Sequence, residues 1–445
     1  MDEKQEELIE RVRGDAVEFI YLQFTDVPGT MKSVAIPASA LRESLEDGVW
    51  FDGSAIEGIA RVAESDLYLR PDPISYALLP WEPSPTARLT CDLCLPDGKP
   101  FPADPRNALK SVLLEAADLG FDYRVASEVE FFLFEDRDGV TACASRLEPV
   151  DRSGYFDVPA ERAERLCVAA AEALAGFGFG VEATHHEVTP GQQEIDIAEL
   201  GALEAADAVV MLKFASRAYG RRDGLLVSFM PKPIEGMSGS GLHLAQRLLD
   251  RQSGANVFHD PASYYQLSDL GRRFIAGQLA HARGMCAVIA PLVNSYKRLL
   301  SGAEAPARVS WGRVSRGATI RVPEVRTRSG TLVELRASDP SCNPYLALAV
   351  MLKSGLDGIK NEMELQEPIE QPGYSMEGND RSEAMANPLP ETLEEALDEL
   401  DWDPVVREAL GQPIYERFLA AKAREWLAYQ HHISSWELER YLRNA

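Results

Sequence analysis

The sequence predicts an α+β protein in two parts, and three stretches carry that expectation. Residues 104–120, DPRNALKSVLLEAADLG, read as a helix with both ends marked. Asp104 suits the N-cap, Pro105 the first helical position and Gly120 the stop. Residues 127–135, SEVEFFLFE, read as a buried strand, because Val and Phe favour a packed, pleated surface. From residue 160 onward helical and strand-like runs interleave, the pattern of a mixed sheet backed by helices.

In chain order, residues 4–13 read as a short polar helix, 16–26 as an alternating strand and 38–47 as a helix. Residues 51–72, rich in Gly and Asp, read as an ordered functional loop. Strands near 76–80 and 87–95 make the first ~100 residues a small β-rich domain, and the boundary is placed between residues 103 and 104. After the key strand come a helix at 160–176, strands at 179–188 and 192–199, and a helix at 202–222. Strands near 225–229 and 240–249, a helix at 265–284, and short strands near 307–311, 318–322 and 331–337 follow. A helix at 343–360, an exposed loop at 365–389 and several closing helices complete residues 104–445.

Composition narrows the function. The chain has 445 residues, 45% hydrophobic, and a net charge of −25. Such acidity repels nucleic acid and anionic membranes. No apolar run approaches the ~20 residues that span a bilayer. The charged N-terminus is unlike a secretory signal, so the expected setting is the cytoplasm, with thiols reduced. Cys91 and Cys94 sit in the alternating run ARLTCDLCL and read as strand packing rather than a metal or redox pair.

The chemistry begins at Glu128 and Glu130. Residues two apart on a strand share a face, so these carboxylates point the same way from an apolar run. Buried carboxylates are costly unless paired or bound to a cation. Two of them ~4 Å apart cost about 4 kcal/mol at an effective dielectric near 20. Glu187, Glu194, His243 and Glu334 also lie in or beside apolar, strand-like runs. Singly, each reads as a solvated glutamate or a satisfied histidine; together they suit hard cations such as Mg²⁺ or Mn²⁺. Arginines are dense between Arg298 and Arg336, which in so acidic a chain points to anion recognition by forked guanidinium contacts. Arg326 and Arg328 read instead as surface residues. No GxxxxGK[ST] is present, which excludes a P-loop. Divalent cations beside arginines fit phosphoryl transfer.

The motifs FDGSAIEG, ESDLYLRPD, EVEFFLFE, HHEVTPGQQEID, FMPKPI, GSGLH, NSYKRL, EAP, IRVP, VELRASDP and NPYLALAV run in one order along nearly the whole chain. In that order they resemble the type I glutamine synthetases, of the short subtype lacking the adenylylation insertion. The resemblance implies a small N-terminal β-grasp domain, a large C-terminal catalytic domain with a curved antiparallel sheet, and a dodecamer of two hexameric rings with inter-subunit active sites. It implies two cation sites, one held by Glu130, Glu187 and Glu194, the other by Glu128, His243 and Glu334. Arg298, Arg321 and Arg336 match arginines that hold glutamate or the transferring phosphoryl group, and Arg316 matches one near the ATP phosphates. Gly239 and Tyr155 match substrate-pocket positions. Asp52, from the adjacent subunit, matches the group that binds and deprotonates ammonium, and Glu304 matches the flap glutamate. The implied reaction joins ammonia to L-glutamate in two steps, with ATP as co-substrate and γ-glutamyl phosphate between them.

Departures cluster near the implied ATP and amine contacts. Ser238 replaces an asparagine, Ala245 a histidine, Arg247 a serine, Leu332 an arginine, Ala303 a tyrosine and Ala55 a serine. His243, Ala245 and Arg247 share a strand face, so Arg247 is expected either to supply the lost phosphate contact or to face solvent. Arg61 matches a feedback residue, and Tyr374 reads as an ordinary loop tyrosine. Two other functions remain open at this stage: a γ-glutamyl ligase for another amine, for which Ala303 and Ala55 make room, and a non-catalytic relative.

Overall fold

The computed structural model describes residues 3–56, 66–136, 147–300, 305–324, 330–370 and 387–443. Glu304, Ala303, Arg61, Arg326, Arg328 and Tyr374 lie outside the described residues, as does the side chain of Ala55.

The first sheet is built from β1 (Phe19–Thr25), β2 (Met31–Pro37), β3 (Val49–Asp52), β4 (Asp66–Pro71), β5 (Ala77–Leu78) and β6 (Thr86–Cys94). Its order is β2-β1-β6-β4-β3, with β5 on β6; β1 and β6 run parallel and the other pairs antiparallel. Helix α1 (Glu3–Gly14) buries Leu8, Ile9 and Val12. Helix α2 (Leu41–Asp47) buries Leu41 and Leu45. Cys91 and Cys94 are both buried in β6, and burial pushes the Cys91 thiol well up. That is the packing role expected of them.

Three short strands depart from expectation. β2 is an edge strand with one buried residue, so it carries no hydrophobic period to read. β3 and β4 occupy the ends of the stretch read as a loop, paired Phe51 to Leu67 and Asp52 to Asp66. In β4, Leu67 and Leu69 are buried while Tyr68 and Arg70 turn outward, a period of two hidden by its Gly- and Asp-rich flank.

The second sheet has the order β12-β13-β14-β11-β7-β9-β8, with β10 on β7. Its centre is β7 (Phe121–Glu135), flanked by β11 (Leu242–Asp250) and β9 (Gln192–Gly201). β8 (Val181–His186) lies beyond β9; on the opposite edge of β7, β10 (Leu225–Ser228) pairs with its end, and β11 leads on to β14 (Val333–Leu335), β13 (Ile320–Arg321) and β12 (Trp311–Gly312). Only β12 and β13 pair in parallel, so the sheet is mixed. Val125, Val129, Phe131 and Leu133 of β7 are fully buried.

Helix α3 (Pro105–Asp118) starts at Asp104, whose carboxylate accepts from the Arg106 amide, as expected of an N-cap. Helices α4 (Glu161–Gly176) and α5 (Ala202–Asp223) pack beside the sheet. The helix expected at 265–284 is two: α6 (Asp269–Ala280), capped by Ser268, and α7 (Ala282–Ile289), broken at His281. Helix α8 (Val293–Leu299) has two turns, too short to show a period. Helix α9 (Pro344–Lys360) is almost wholly buried. Helices α10 (Leu393–Trp402), α11 (Pro404–Leu410), α12 (Gln412–Gln430) and α13 (Ser435–Tyr441) follow. α13 buries none of its residues.

Arg106 ties the two sheets' layers together. Its guanidinium meets Asp92 of β6 at 2.8 Å, Asp72 at 3.0 Å and Asp207 of α5 at 3.1 Å.

Candidate active site

The register of the second sheet lays acidic and histidine side chains across neighbouring strands. His243 of β11 stands opposite Glu128 of β7, and Asp196 of β9 stands opposite Glu128 on the other side. Glu194 of β9 faces Glu130, and His185 of β8 faces Glu194. Further out, Glu334 of β14 pairs with Ala245, and Arg321 of β13 pairs with Glu334. Cross-strand partners lie on the same face of a sheet, so the alternation of each strand aims these groups into one space.

That space is a cavity of about 530 Å³, lined by Glu128, Glu130, Glu187, Glu194, His243 and Glu334 together with Tyr155, Gly239, Arg298, Arg316, Arg321 and Arg336. Asp52 does not line it. It sits at the end of edge strand β3, where it accepts from the Ser54 amide at 2.9 Å and the Ser54 hydroxyl at 2.6 Å. Arg247 does not line it either. Its guanidinium pairs with Glu199 at 2.6 Å, and its side chain is only 13% exposed. Reaching a ligand in the cavity therefore means breaking that pair, and the alternative of a solvent-facing side chain does not hold.

The glycines here are steric requirements. A Cβ on Gly241 would lie 2.7 Å from Arg298 Nη2 and 2.7 Å from His243 Nε2. One on Gly239 would collide with the Pro231 carbonyl. The backbone thus comes close enough for the Gly241 amide to donate to Glu130 Oε2 at 2.9 Å.

The electrostatics are those of a crowded anionic pocket. Burial raises the Glu130 carboxyl well above its usual range, more than Arg298 lowers it. Burial raises Glu194 too, and the neighbouring Glu130 and Glu128 add to the effect. Glu128 is also raised by burial, with Arg336 and Arg321 pulling back. Burial and the adjacent Arg336 hold His243 well below the ordinary imidazole value, so it is neutral and suited to act as a ligand. Its Nδ1 meets Glu128 Oε2 at 2.9 Å. Arg298, 3% exposed, donates to the carbonyls of Arg336, Ala337 and Ser338, which fixes its position. Arg336 pairs with Glu334 and donates to the Arg316 carbonyl.

Glu128, His243 and Glu334 each offer a ligand atom within 4.8 Å of the others. So do His185, Glu194 and Asp196. The donors are carboxylates and imidazoles crowded together away from water, a set that fits a hard divalent cation.

Sequence reasoning left out His185, Asp196 and Gln192. Asp196 lies two residues beyond Glu194, the spacing that links Glu130 to Glu128, so that signal was present. Gln192 donates from Nε2 to Glu130 Oε2 at 2.9 Å and to the Gly239 carbonyl at 3.1 Å. A glutamine bridging a carboxylate to a distant turn leaves no mark in a sequence.

Comparison with known proteins shows the family. Residues 102–441 match the glutamine synthetase catalytic domain, and residues 16–96 its β-grasp domain. A glutamine synthetase of Thermus thermophilus is 45% identical over 444 residues, covering 98% of each chain. One of Methanosarcina mazei is 44% identical over 442 residues, covering 98% of this chain and 97% of its own. A solved GmaS/ADP complex superposes with a TM-score of 0.88 at 31% identity, covering 98% of this chain and 99% of that one. The chain belongs to the glutamine synthetase family.

Proposed function

We propose that the chain ligates ammonia to the γ-carboxylate of L-glutamate at the expense of ATP, through γ-glutamyl phosphate, releasing glutamine, ADP and phosphate. The observation that carries this is the convergence of five glutamates, His243 and four arginines on one cavity. A carboxylate is a poor acylating agent, and phosphorylation supplies the leaving group that ammonia then displaces. In this reading Arg298, Arg321 and Arg336 hold glutamate and the transferring phosphoryl group, Arg316 stands near the ATP phosphates, and Gly239 and Tyr155 shape the substrate pocket. Glu130, Glu187 and Glu194 on one side, and Glu128, His243 and Glu334 on the other, would hold two divalent cations, Mg²⁺ or Mn²⁺. Bound there, the cations supply positive charge that neutralises the phosphoryl oxygens. The described ligand atoms favour the second set, since Glu194 lies with His185 and Asp196.

The working unit is taken as a dodecamer of two hexameric rings, with residues 1–103 and 104–445 as its domains and the cytoplasm as its setting. Asp52 would then reach the cavity of the adjacent subunit and deprotonate ammonium, with Glu304 closing the site. Support comes from Asp52 lying outside its own chain's cavity, and from the exposed Ile433, Trp436, Tyr441 and Leu442 at the C-terminal end. Among the described residues no helix is long and apolar enough to cross a membrane.

Ligation of another amine is the second reading, and Ser238 on the cavity wall favours it by replacing the family's asparagine. Phosphate release with ATP, Mg²⁺ and glutamate across ammonia and small organic amines decides. Ammonia-dependent release supports the first reading. Release only with another amine supports the second, and none with any amine overturns both.

A further inference from the structure

The loop carrying Tyr155 and the turn carrying Glu187 are joined by a buried pair, Asp151 and His186. The His186 ring is fully buried, with Nε2 2.9 Å from Asp151 Oδ1 and Nδ1 2.6 Å from the Glu187 carbonyl. Asp151 Oδ1 also accepts from the Gly191 amide at 3.0 Å, and Oδ2 from the Ala160 amide at 3.2 Å. One carboxylate therefore holds both ends of the 187–191 turn and the far end of the Tyr155 loop.

The return contact runs through backbone. The Phe156 amide donates to the His186 carbonyl at 3.1 Å. Phe156 has φ of 60°, an unfavourable conformation for a bulky residue. Such strain persists only where the surroundings hold it. Here the Phe156 ring stacks on Tyr155 at 4.2 Å and meets the edge of His185 at 4.8 Å. Neither Asp151 nor His186 lines the cavity, so neither touches a ligand there.

We infer that Asp151 and His186 are positioning residues that lock the Glu187 turn to the Tyr155 loop, and so set cation affinity on the Glu187 side and amine binding beside it. This rests on the functional reading above. Partners that orient metal ligands in this way are worth roughly 10–100-fold in affinity.

The test titrates Mn²⁺ into the full-length wild-type protein and into His186→Ala, Asp151→Asn and Glu187→Gln. Glu187→Gln identifies the binding step that belongs to this side of the cavity. His186→Ala is expected to weaken that step roughly 10–100-fold and leave the remaining step unchanged. Asp151→Asn, which keeps the size of the side chain, is expected to weaken it less. In steady state KM for the amine rises while KM for ATP holds, and His186→Gln, which retains a donor toward Asp151, recovers part of the loss. Should His186→Ala fail to fold, Asp151→Asn and His186→Gln carry the same comparison. Wild-type affinity in the variants overturns this inference alone. A wild-type protein with no Mn²⁺ step sensitive to Glu187→Gln overturns the functional reading, and this inference with it.

Discussion

Replacing Gly241 by alanine tests whether the close approach of backbone to ligands governs activity. The added Cβ would sit 2.7 Å from both Arg298 Nη2 and His243 Nε2. Ordinary contact begins near ~3.4 Å, so each partner must give by about 0.7 Å (3.4 − 2.7). Arg298 cannot yield without loosening its bonds to three carbonyls, and hydrogen bonds from a charged donor are worth roughly 1.5–3 kcal/mol each. His243 is held by Glu128 and by its place in β11. The backbone of Gly241 is held too, donating to Glu130 and accepting from the Glu130 amide at 3.1 Å. A misplacement of 1 Å at a reacting centre costs about 10²-fold, so a shift of this size predicts a fall of about 10- to 100-fold in kcat/KM. That equals roughly 1.4–2.7 kcal/mol of lost transition-state stabilisation. The assay is ammonia-dependent phosphate release, run beside thermal melting to separate site damage from unfolding. Gly176→Ala, with nothing within 4 Å of the new Cβ, is the control and is expected to leave kcat/KM unchanged. A folded Gly241→Ala protein within twofold of wild type would refute the reasoning.

Three further outcomes follow from the same geometry. Glu194→Gln removes one of the crowded carboxylates, so in EDTA the variant should melt about 1–3 °C above wild type, while added Mn²⁺ raises its melting point less; a lower melting point in EDTA contradicts the repulsion argument. His281 lies between Asp403 at 2.8 Å and Asp357 at 3.1 Å. Burial lowers its pKa, but the two carboxylates outweigh that and raise it. A raised imidazole stabilises fully below its unfolded value near 6.5 and loses that stabilisation as pH climbs through the higher folded value. Wild type should therefore lose stability in urea unfolding over that window, and His281→Gln should show no such loss. Arg106→Met leaves Asp72, Asp92 and Asp207 without their shared cation, and breaking a buried pair costs about 3–5 kcal/mol; a loss below ~1 kcal/mol in denaturant unfolding would show that the cluster does not couple the two layers.

Local chemistry was legible wherever the cause lay within a few residues. The cap at Asp104, the strand at 127–135 and the shared face of Glu128 and Glu130 follow from side-chain preference and a period of two. The same period marked Asp196 beside Glu194, although the resemblance implies no aspartate among the cation ligands. β2 and β3 went unread because edge strands bury one face weakly, and α8, which carries Arg298, because two turns are too short to show a helical period.

What the residues determined alone is the kind of chemistry: an acidic chain with carboxylates in apolar strands must recruit cations, and its clustered arginines must meet anions. Tertiary structure decided which groups share a space. Strand register set His243 against Glu128 and Glu194 against Glu130, because cross-strand partners depend on a pairing that no local pattern specifies. It also turned Arg247 toward Glu199, since a guanidinium leaving water goes to the nearest carboxylate its neighbours provide. The pair of Asp151 and His186 belongs to the same class, 35 residues apart in the chain and 2.9 Å apart in the fold.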